Sequence, residues 1–282
     1  MKVKIISDST CDLSEELLKK YDIAIAPLSV TLGDNTYKDG VEMNVEDIYA
    51  YVEKTGSLPT TNAVNLADYI DIFREWKDKG YDGIVHFNIS ADFSSSYQNA
   101  CLAAEEFDNV CVVDSRNLST GQGLVVLRGA ELAMEGKTPQ EIQEACNAMT
   151  PKVEASFVID KLDYLYKGGR CSAVAALGAN LLKLKPCIEV TDGKMDAGKK
   201  YRGKWEKVIL DYVKDRLEGR DDIDKKRIFI THTRCLDEVV KNVEDEIKSF
   251  IPDFEEILIT TAGATITTHC GPNTLGVLFV RK

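Results

Sequence analysis

The chain has 282 residues, 44% of them hydrophobic and 29% charged, the make-up of a globular protein with room for two cored domains. Its formal net charge of −11 argues against a nucleic-acid partner and gives no global attraction to an anionic membrane. No apolar run approaches the about 18 residues of a membrane span. The chain opens on a strand rather than a signal peptide, and none of its eight cysteines lies in a CxxC pair, so a reducing cytoplasm is the expected compartment. Lys194, Lys199, Lys200, Arg202, Lys204 and Lys207 form one basic stretch, which reads as a solvated hairpin and helix face.

In chain order, residues 3–7 read as a strand. Asp12, with Glu15 three residues on, reads as the cap of a helix whose apolar face is Leu13, Leu17, Leu18 and Tyr21. Strands over 23–32 and 37–41 flank a turn at Gly33-Asp34-Asn35. Asn44 caps a helix with Val45, Ile48, Tyr49 and Val52 on one face. Leu66, Tyr69, Ile70 and Phe73 repeat that spacing until Gly80. An apolar strand over 84–89 runs through a hydroxyl-rich loop into a helix after Ser94. A strand over 110–113 follows, then a helix from about 123 to 134. Thr138-Pro139-Gln140-Glu141 is a capping box with proline at the first helical position. Strands alternating with helices to this point imply a parallel, helix-covered sheet.

Beyond Pro151 the pattern changes. A strand over 155–159 precedes a short helix that breaks at Gly168-Gly169, and a small-residue helix is expected over 172–182. Asp192-Gly193 is the turn of a two-residue hairpin between strands 188–191 and 194–197. Trp205, Val208, Ile209, Tyr212 and Val213 mark a further helix, and strands are expected over 227–232, 257–260 and 276–280. The fold class is therefore α/β: an N-terminal Rossmann-like parallel-sheet domain over 1–150 and a C-terminal α+β domain with a mixed sheet over 151–282.

Ligands of parallel α/β sheets sit at the carboxyl ends of the strands, which selects the loops 7–12, 90–96 and 114–123. The loop Thr60-Thr61-Asn62 adds hydroxyls to that set. Ser94 lies at a helix start, where unpaired N–H groups and the positive dipole end suit an anion, although a plain helix cap has the same sequence. Thr61 carries the same ambiguity. Asp8 and Asp12 read as turn and cap residues. His269 can be a ligand donor, an acid/base or a packed histidine. His86 lies within a buried strand and reads as structural, and His232 ends a strand. Gly168-Gly169-Arg170 reads as a helix stop followed by a cation. Gly121-Gln122-Gly123 lacks the third spaced glycine of a dinucleotide loop.

Taken in order, five segments resemble the DegV family of bacterial fatty-acid-binding proteins. They are Asp8-Ser9-Thr10-Cys11-Asp12-Leu13, Pro59-Thr60-Thr61, Phe93-Ser94 with Tyr97-Gln98, Leu162-Asp163-Tyr164-Leu165 through Gly168-Gly169-Arg170, and His269-Cys270-Gly271-Pro272 with Leu275-Gly276. The chain departs from the family pattern where Asn62-Ala63-Val64 replaces Ser-Gln-Pro and where Ser95 replaces a glycine, which leaves more room for change in the loop geometry than in the fold.

The resemblance implies one long-chain fatty acid bound between the two domains, with no metal, no other cofactor and no catalytic residue. It places the carboxylate on Thr61 and Ser94, with Thr60, Ser95 and His269 as head-group neighbours and Arg170 and Arg202 as outer or partner-facing groups. It also implies a separate fatty-acid kinase subunit as partner and allows a transient membrane contact. The competing expectation is a serine or cysteine hydrolase using Ser94 or Cys270 with His269, though no G-x-S-x-G elbow surrounds any serine.

Overall fold

The computed structural model describes residues 1–172 and 184–282. Apart from Ser172, the helix expected over 172–182 lies outside the described residues. The chain enters on β1 (Val3–Asp8), turns through α1 (Glu15–Lys20) and returns as β2 (Ile23–Ala26). Two short strands follow, β3 (Ser29–Leu32) and β4 (Asn35–Lys38). The single strand expected over 23–32 is therefore two. Pro27 has no N–H for a ladder, and at that point the chain leaves one sheet for another. After α2 (Val45–Thr55), β5 (Thr60–Asn62) pairs antiparallel with β3, so a small sheet of order β4-β3-β5 stands apart. Then come α3 (Leu66–Asp78), β6 (Gly83–Asn88), α4 (Ser96–Ala104), β7 (Val110–Asp114), α5 (Ser119–Met134) and α6 (Pro139–Met149). The four parallel strands stand in the order β2-β1-β6-β7.

The second domain opens on β8 (Val153–Ile159) and α7 (Leu162–Gly168), and β9 (Lys185–Thr191) and β10 (Lys194–Tyr201) form the expected hairpin. Its turn residues Asp192 and Gly193 both have positive φ, at 49° and 82°, as a two-residue turn of that twist requires. The helix α8 (Trp205–Leu217), β11 (Ile223–Thr233), α9 (Asp237–Phe250), β12 (Glu256–Thr261), α10 (Ala264–Cys270) and β13 (Thr274–Arg281) complete the chain. The second main sheet has the order β10-β9-β8-β13-β11-β12, antiparallel except for β11 against β12. The fold is thus a two-domain α/β architecture with a parallel N-terminal sheet and a mixed C-terminal one.

The buried side chains explain the layering. In β1 and β6 nearly every residue is inside, because α3 and α4 cover one face and α5 covers the other. Helix α5 is buried around most of its circumference. One continuous apolar cluster joins it to Val85 and Phe87 of the parallel sheet and to Phe157, Phe229 and Leu278 of the mixed sheet. It is the layer shared by both domains, and a helix apolar all round belongs in that position. On the far face of the mixed sheet, α8 and α9 pack through Val208, Tyr212, Val239, Val243 and Ile247.

Three expectations are corrected. Asp12 does not cap α1: Ser14 does, accepting from the Leu17 N–H at 3.3 Å. Asp12 instead takes a left-handed conformation, φ 50°, that turns its carboxylate inward. Helix α5 begins at Ser119, not near 123, so Gly121 and Gly123 lie in its first turns rather than in a loop. Helices α9 and α10 have no counterpart in the sequence expectation. For α9 the signal was present in Val239, Val240, Val243 and Ile247, whereas α10 is a seven-residue run rich in threonine, a β-branched residue that favours strands.

His86 is structural, as its strand context implied. It lies fully buried in β6, edge-on to the rings of Tyr69 and Phe73, and neither ring nitrogen has a partner among the described residues. Burial alone pushes its pKa down to about 3. Below the ordinary histidine pKa of about 6.5 the unfolded chain gains a proton that the folded chain refuses, so this site subtracts stability as pH falls from about 6.5 towards 3. His86→Leu should remove about 2 kcal/mol of that loss at pH 5. Urea denaturation of both proteins at pH 7 and pH 5 checks it: the parent should lose more stability than the variant between the two, and equal losses would contradict the assignment.

Candidate functional site

A cavity lies where the small sheet, the loop after β6, α7, β10 and α10 converge. The empty space within it, open solvent at its mouth included, is about 560 Å3. The lining divides into two regions. Thr61, Asn62, Ser94, Arg170, Thr265 and His269 make a polar edge, and Ile89, Phe93, Leu118, Leu165, Ile266 and Cys270 are prominent in the apolar remainder.

Helix α10 produces that division. Thr265 and His269 are four residues apart and share one stripe; Ile266 and Cys270 are four apart and share the next. Both stripes line the cavity. The apolar stripe continues into a second void of about 320 Å3, which shares Leu118, Ile266 and Cys270 with the first and runs on past Phe157, Gly276 and Leu278.

The N-terminal domain holds this helix in place. The Asp12 carboxylate accepts the Gly263 N–H at 2.8 Å and the Ser119 hydroxyl at 2.5 Å. The Asp39 carboxylate accepts the N–H groups of Ala264 and Thr265, each at 3.1 Å. The N–H groups of Gly263, Ala264 and Thr265 are the unpaired donors at the start of the helix. Both aspartates are buried. Burial pushes the Asp12 pKa up to about 8, with the neighbouring Asp39 and Asp8 carboxylates adding to the rise. Asp8 ends β1 fully buried, accepting from Thr10, Gln122, Asn88 and the Ile89 N–H, and desolvation raises its pKa as well. The roles expected for Asp8 and Asp12, a turn and a cap, are thus exercised across the fold rather than locally.

Thr61 and His269, 208 positions apart in the chain, meet at 2.9 Å between Oγ1 and Nε2. Thr61 turns inward on β5 while Thr60 is exposed, as the pleat alternation requires. Burial, with the positive charge of Arg170 behind it, lowers the His269 pKa to about 4, so the ring is neutral at pH 7. His269 Nδ1 is buried without a partner. A lone pair left unpaired there costs less than an N–H left unpaired, which favours the tautomer carrying its proton on Nε2. In that tautomer His269 donates to Thr61, and the Thr61 hydroxyl proton is free to point into the cavity.

Glycine makes this approach feasible. A Cβ on Gly168 would lie 2.3 Å from His269 Nδ1, and one on Gly271, which has φ 67°, would lie 2.5 Å from the Tyr164 ring. Both positions belong to segments singled out in the sequence.

Ser94 lines the cavity with its hydroxyl 2.9 Å from that of Ser96, and its oxygen accepts the Ser96 N–H at 3.2 Å. The cap position of α4 is Ser95, which makes no side-chain cap bond, so Ser94 lines the cavity from just before the helix rather than capping it. Arg170 is exposed at the mouth, its guanidinium donating to the Gly168 carbonyl at 2.7 Å. Thr60, Ser95 and Arg202 are exposed and outside the cavity lining. Ser95 has φ −74° and ψ 0°, a conformation open to any residue, so its replacement of a glycine costs no backbone strain. Asn62 lines the cavity and donates to Thr31 at 2.9 Å. Cys270 is buried and its thiol pKa is pushed up to about 12. Among the described residues neither Ser94 nor Cys270 has a hydrogen bond to a histidine, no group of three or more His, Cys, Asp or Glu could hold a metal, and no helix is long and apolar enough to cross a membrane.

A family model described as an uncharacterised protein of the DegV family matches residues 2–282. The chain belongs to the DegV family. A DegV domain-containing protein of Caldanaerobacter subterraneus is 31% identical over 285 residues, covering 100% of this chain and 99% of its own length. Two solved structures cover 100% of both chains at 29% identity. One is described as fatty acid binding of a DegV family protein from Thermus thermophilus, with a TM-score of 0.89. The other is a DegV lipid binding protein from Thermotoga maritima, with a TM-score of 0.88. The DegV resemblance drawn from five short segments thus extends to the whole chain. Sequence reasoning missed Asp39 and Thr265. Neither lies in a recognisable motif, and each acquires its place only through the tertiary position of α10.

Gly168→Ala tests the glycine argument. The backbone is helical there, so alanine suits the local conformation. The new methyl must nevertheless displace the His269 ring. The melting temperature should stay within a few degrees while the imidazole NMR signals of His269 shift and the Thr61 contact is lost; unchanged His269 signals would refute it.

Proposed function

We propose that this chain binds one long-chain fatty acid in the cleft between its domains, 1–150 and 151–282, with the carboxylate on Thr61 and Ser94 and His269 beside it. The observation that carries the reading is the divided cavity, hydroxyls and a neutral imidazole along one edge and apolar side chains leading into a second void. The Thermus and Thermotoga relatives described as binding fatty acid or lipid support it.

The energetics agree. About 15 methylenes at ~0.8 kcal/mol each give on the order of 12 kcal/mol gross, before the costs of association and ordering. The acyl chain therefore supplies most of the affinity. A carboxylate buried without partners would cost several kcal/mol. The Thr61 hydroxyl, freed to donate because His269 bonds to its oxygen, and the Ser94 hydroxyl offset that cost and fix which end lies at the polar edge. The acyl chain runs past Leu118, Ile266 and Cys270. With His269 neutral and the Cys270 thiol held protonated, the site retains its ligand without reacting with it.

Arg170 at the mouth gives the head group a cation facing solvent. That arrangement suits presentation of the carboxylate to a separate fatty-acid kinase subunit in the cytoplasm, with the exposed Arg202 as a further group for that partner.

Organic extraction and mass spectrometry of purified protein should find close to one equivalent of long-chain acid per chain. Protein that carries none and also fails to take up palmitate or oleate would overturn the proposal. Ser94→Ala and Thr61→Ala should each weaken binding by about 1–3 kcal/mol with the fold intact, because each leaves a buried carboxylate short of a donor. Variants that bind as tightly as the parent would place the carboxylate elsewhere. In a reconstituted assay with the kinase subunit, His269→Ala and Arg170→Ala should depress acyl-phosphate formation more than they weaken binding. Unchanged turnover would remove the presentation role.

A further inference from the structure

The threonines of α10 are not equivalent. Thr267 Oγ1 donates back to the Ala262 carbonyl at 3.3 Å and Thr268 Oγ1 to the Ala264 carbonyl at 2.9 Å, the usual local satisfaction of a helical threonine. Thr265 is only 4% exposed, its Oγ1 is buried with no partner, and it lines the cavity on the stripe of His269. Its own N–H is already taken by Asp39, so the hydroxyl is the residue's one unanswered polar group. A buried hydroxyl without a partner is costly and calls for one from the cavity.

The helix sets how far away that partner lies. Thr265 is four residues from His269, a rise of about 6 Å. A hydroxyl–hydroxyl bond spans about 2.8 Å of it. The remaining ~3 Å matches the about 3–4 Å between a carboxylate carbon and a hydroxyl oxygen on the third carbon, three bonds away. A polar group on the third carbon of an acid whose carboxylate is held beside His269 therefore reaches Thr265. Leu28, Ile89 and Ile266, which also line the cavity, are apolar and offer that group no hydrogen bond.

We infer that the unpartnered Thr265 hydroxyl in the cavity makes this site selective for 3-hydroxy long-chain acids over the unsubstituted acids of the same length. The inference rests on the fatty-acid reading above and adds the ligand class. The Thr265 hydroxyl can either donate to or accept from the ligand hydroxyl, a bond that a plain acyl chain cannot make.

The test is a titration of delipidated full-length protein with hexadecanoate and with each enantiomer of 3-hydroxyhexadecanoate, repeated on Thr265→Val and Thr265→Ser. Valine keeps the shape and removes the hydroxyl; serine restores it. The parent should prefer the better 3-hydroxy enantiomer over hexadecanoate. Thr265→Val should lower that preference, read as the ratio of the two affinities in the same variant, by about tenfold, and Thr265→Ser should recover most of it. A preference ratio that is the same within twofold in parent and valine variant would overturn the inference and mean that Thr265 holds only water. If the parent binds hexadecanoate normally, that result leaves the fatty-acid reading standing. A parent that binds none of the acids overturns both.

Discussion

The site depends on two buried carboxylates at the start of one short helix. Asp12 and Asp39 belong to the N-terminal domain, and the N–H groups they accept belong to Gly263, Ala264 and Thr265 of the C-terminal domain. A seven-residue helix has little stability of its own, because nucleation is costly and few internal bonds repay it. Here its first turn is answered from the opposite domain, with Ser9 holding the Asp39 carboxylate at 3.1 Å and Ser119 holding that of Asp12. The contact therefore does two things at once. It docks the domains, and it sets the rotation of α10 about its axis, which decides that Thr265, Ile266, His269 and Cys270 line the cavity.

From that rotation the chemistry follows. One stripe of the helix supplies a neutral imidazole and a hydroxyl, and the adjacent stripe supplies an apolar wall shared by two voids. Thr61 approaches from the small sheet, which exists because the chain breaks after β2 and turns aside. Gly168 leaves room for the His269 ring, and Gly271 lets the chain leave α10 against Tyr164. The charges are placed with similar economy. Burial keeps the His269 ring neutral, and the charge of Arg170, which remains in solvent, acts in the same direction. The polar edge carries its formal charge on Arg170 at the mouth and a neutral imidazole within.

Much of this is legible in the sequence. Strand–helix alternation in the first half, the Asn44 cap, the Thr138 capping box and the Asp192-Gly193 hairpin all rest on local chemistry, and the structure contains each of them. Thr61, Ser94 and His269 each also read as a cap or a packed side chain, and it was the DegV resemblance that grouped them; the structure gathers all three round one cavity. The failures are tertiary. Asp12 has the sequence of a local cap, yet its carboxylate is used 251 positions away. The run Ala264–Cys270 carries β-branched residues that argue for a strand, and only capping from the other domain makes it a helix. Asp39 lies outside any regular element, where local pattern gives no sign of a distant helix terminus. Thr265 reads as one threonine among several until the bonds of its neighbours are known.

The central claim is that one cavity, polar at the Thr61–His269 edge and apolar beyond α10, takes a fatty acid in a single orientation. A crystal structure of the protein with bound palmitate tests it most directly. The account predicts a carboxylate within hydrogen-bond distance of the Thr61 and Ser94 hydroxyls and an acyl chain running past Leu118, Ile266 and Cys270 towards Phe157. A carboxylate found outside that polar edge, or an acyl chain lying away from α10, would contradict it.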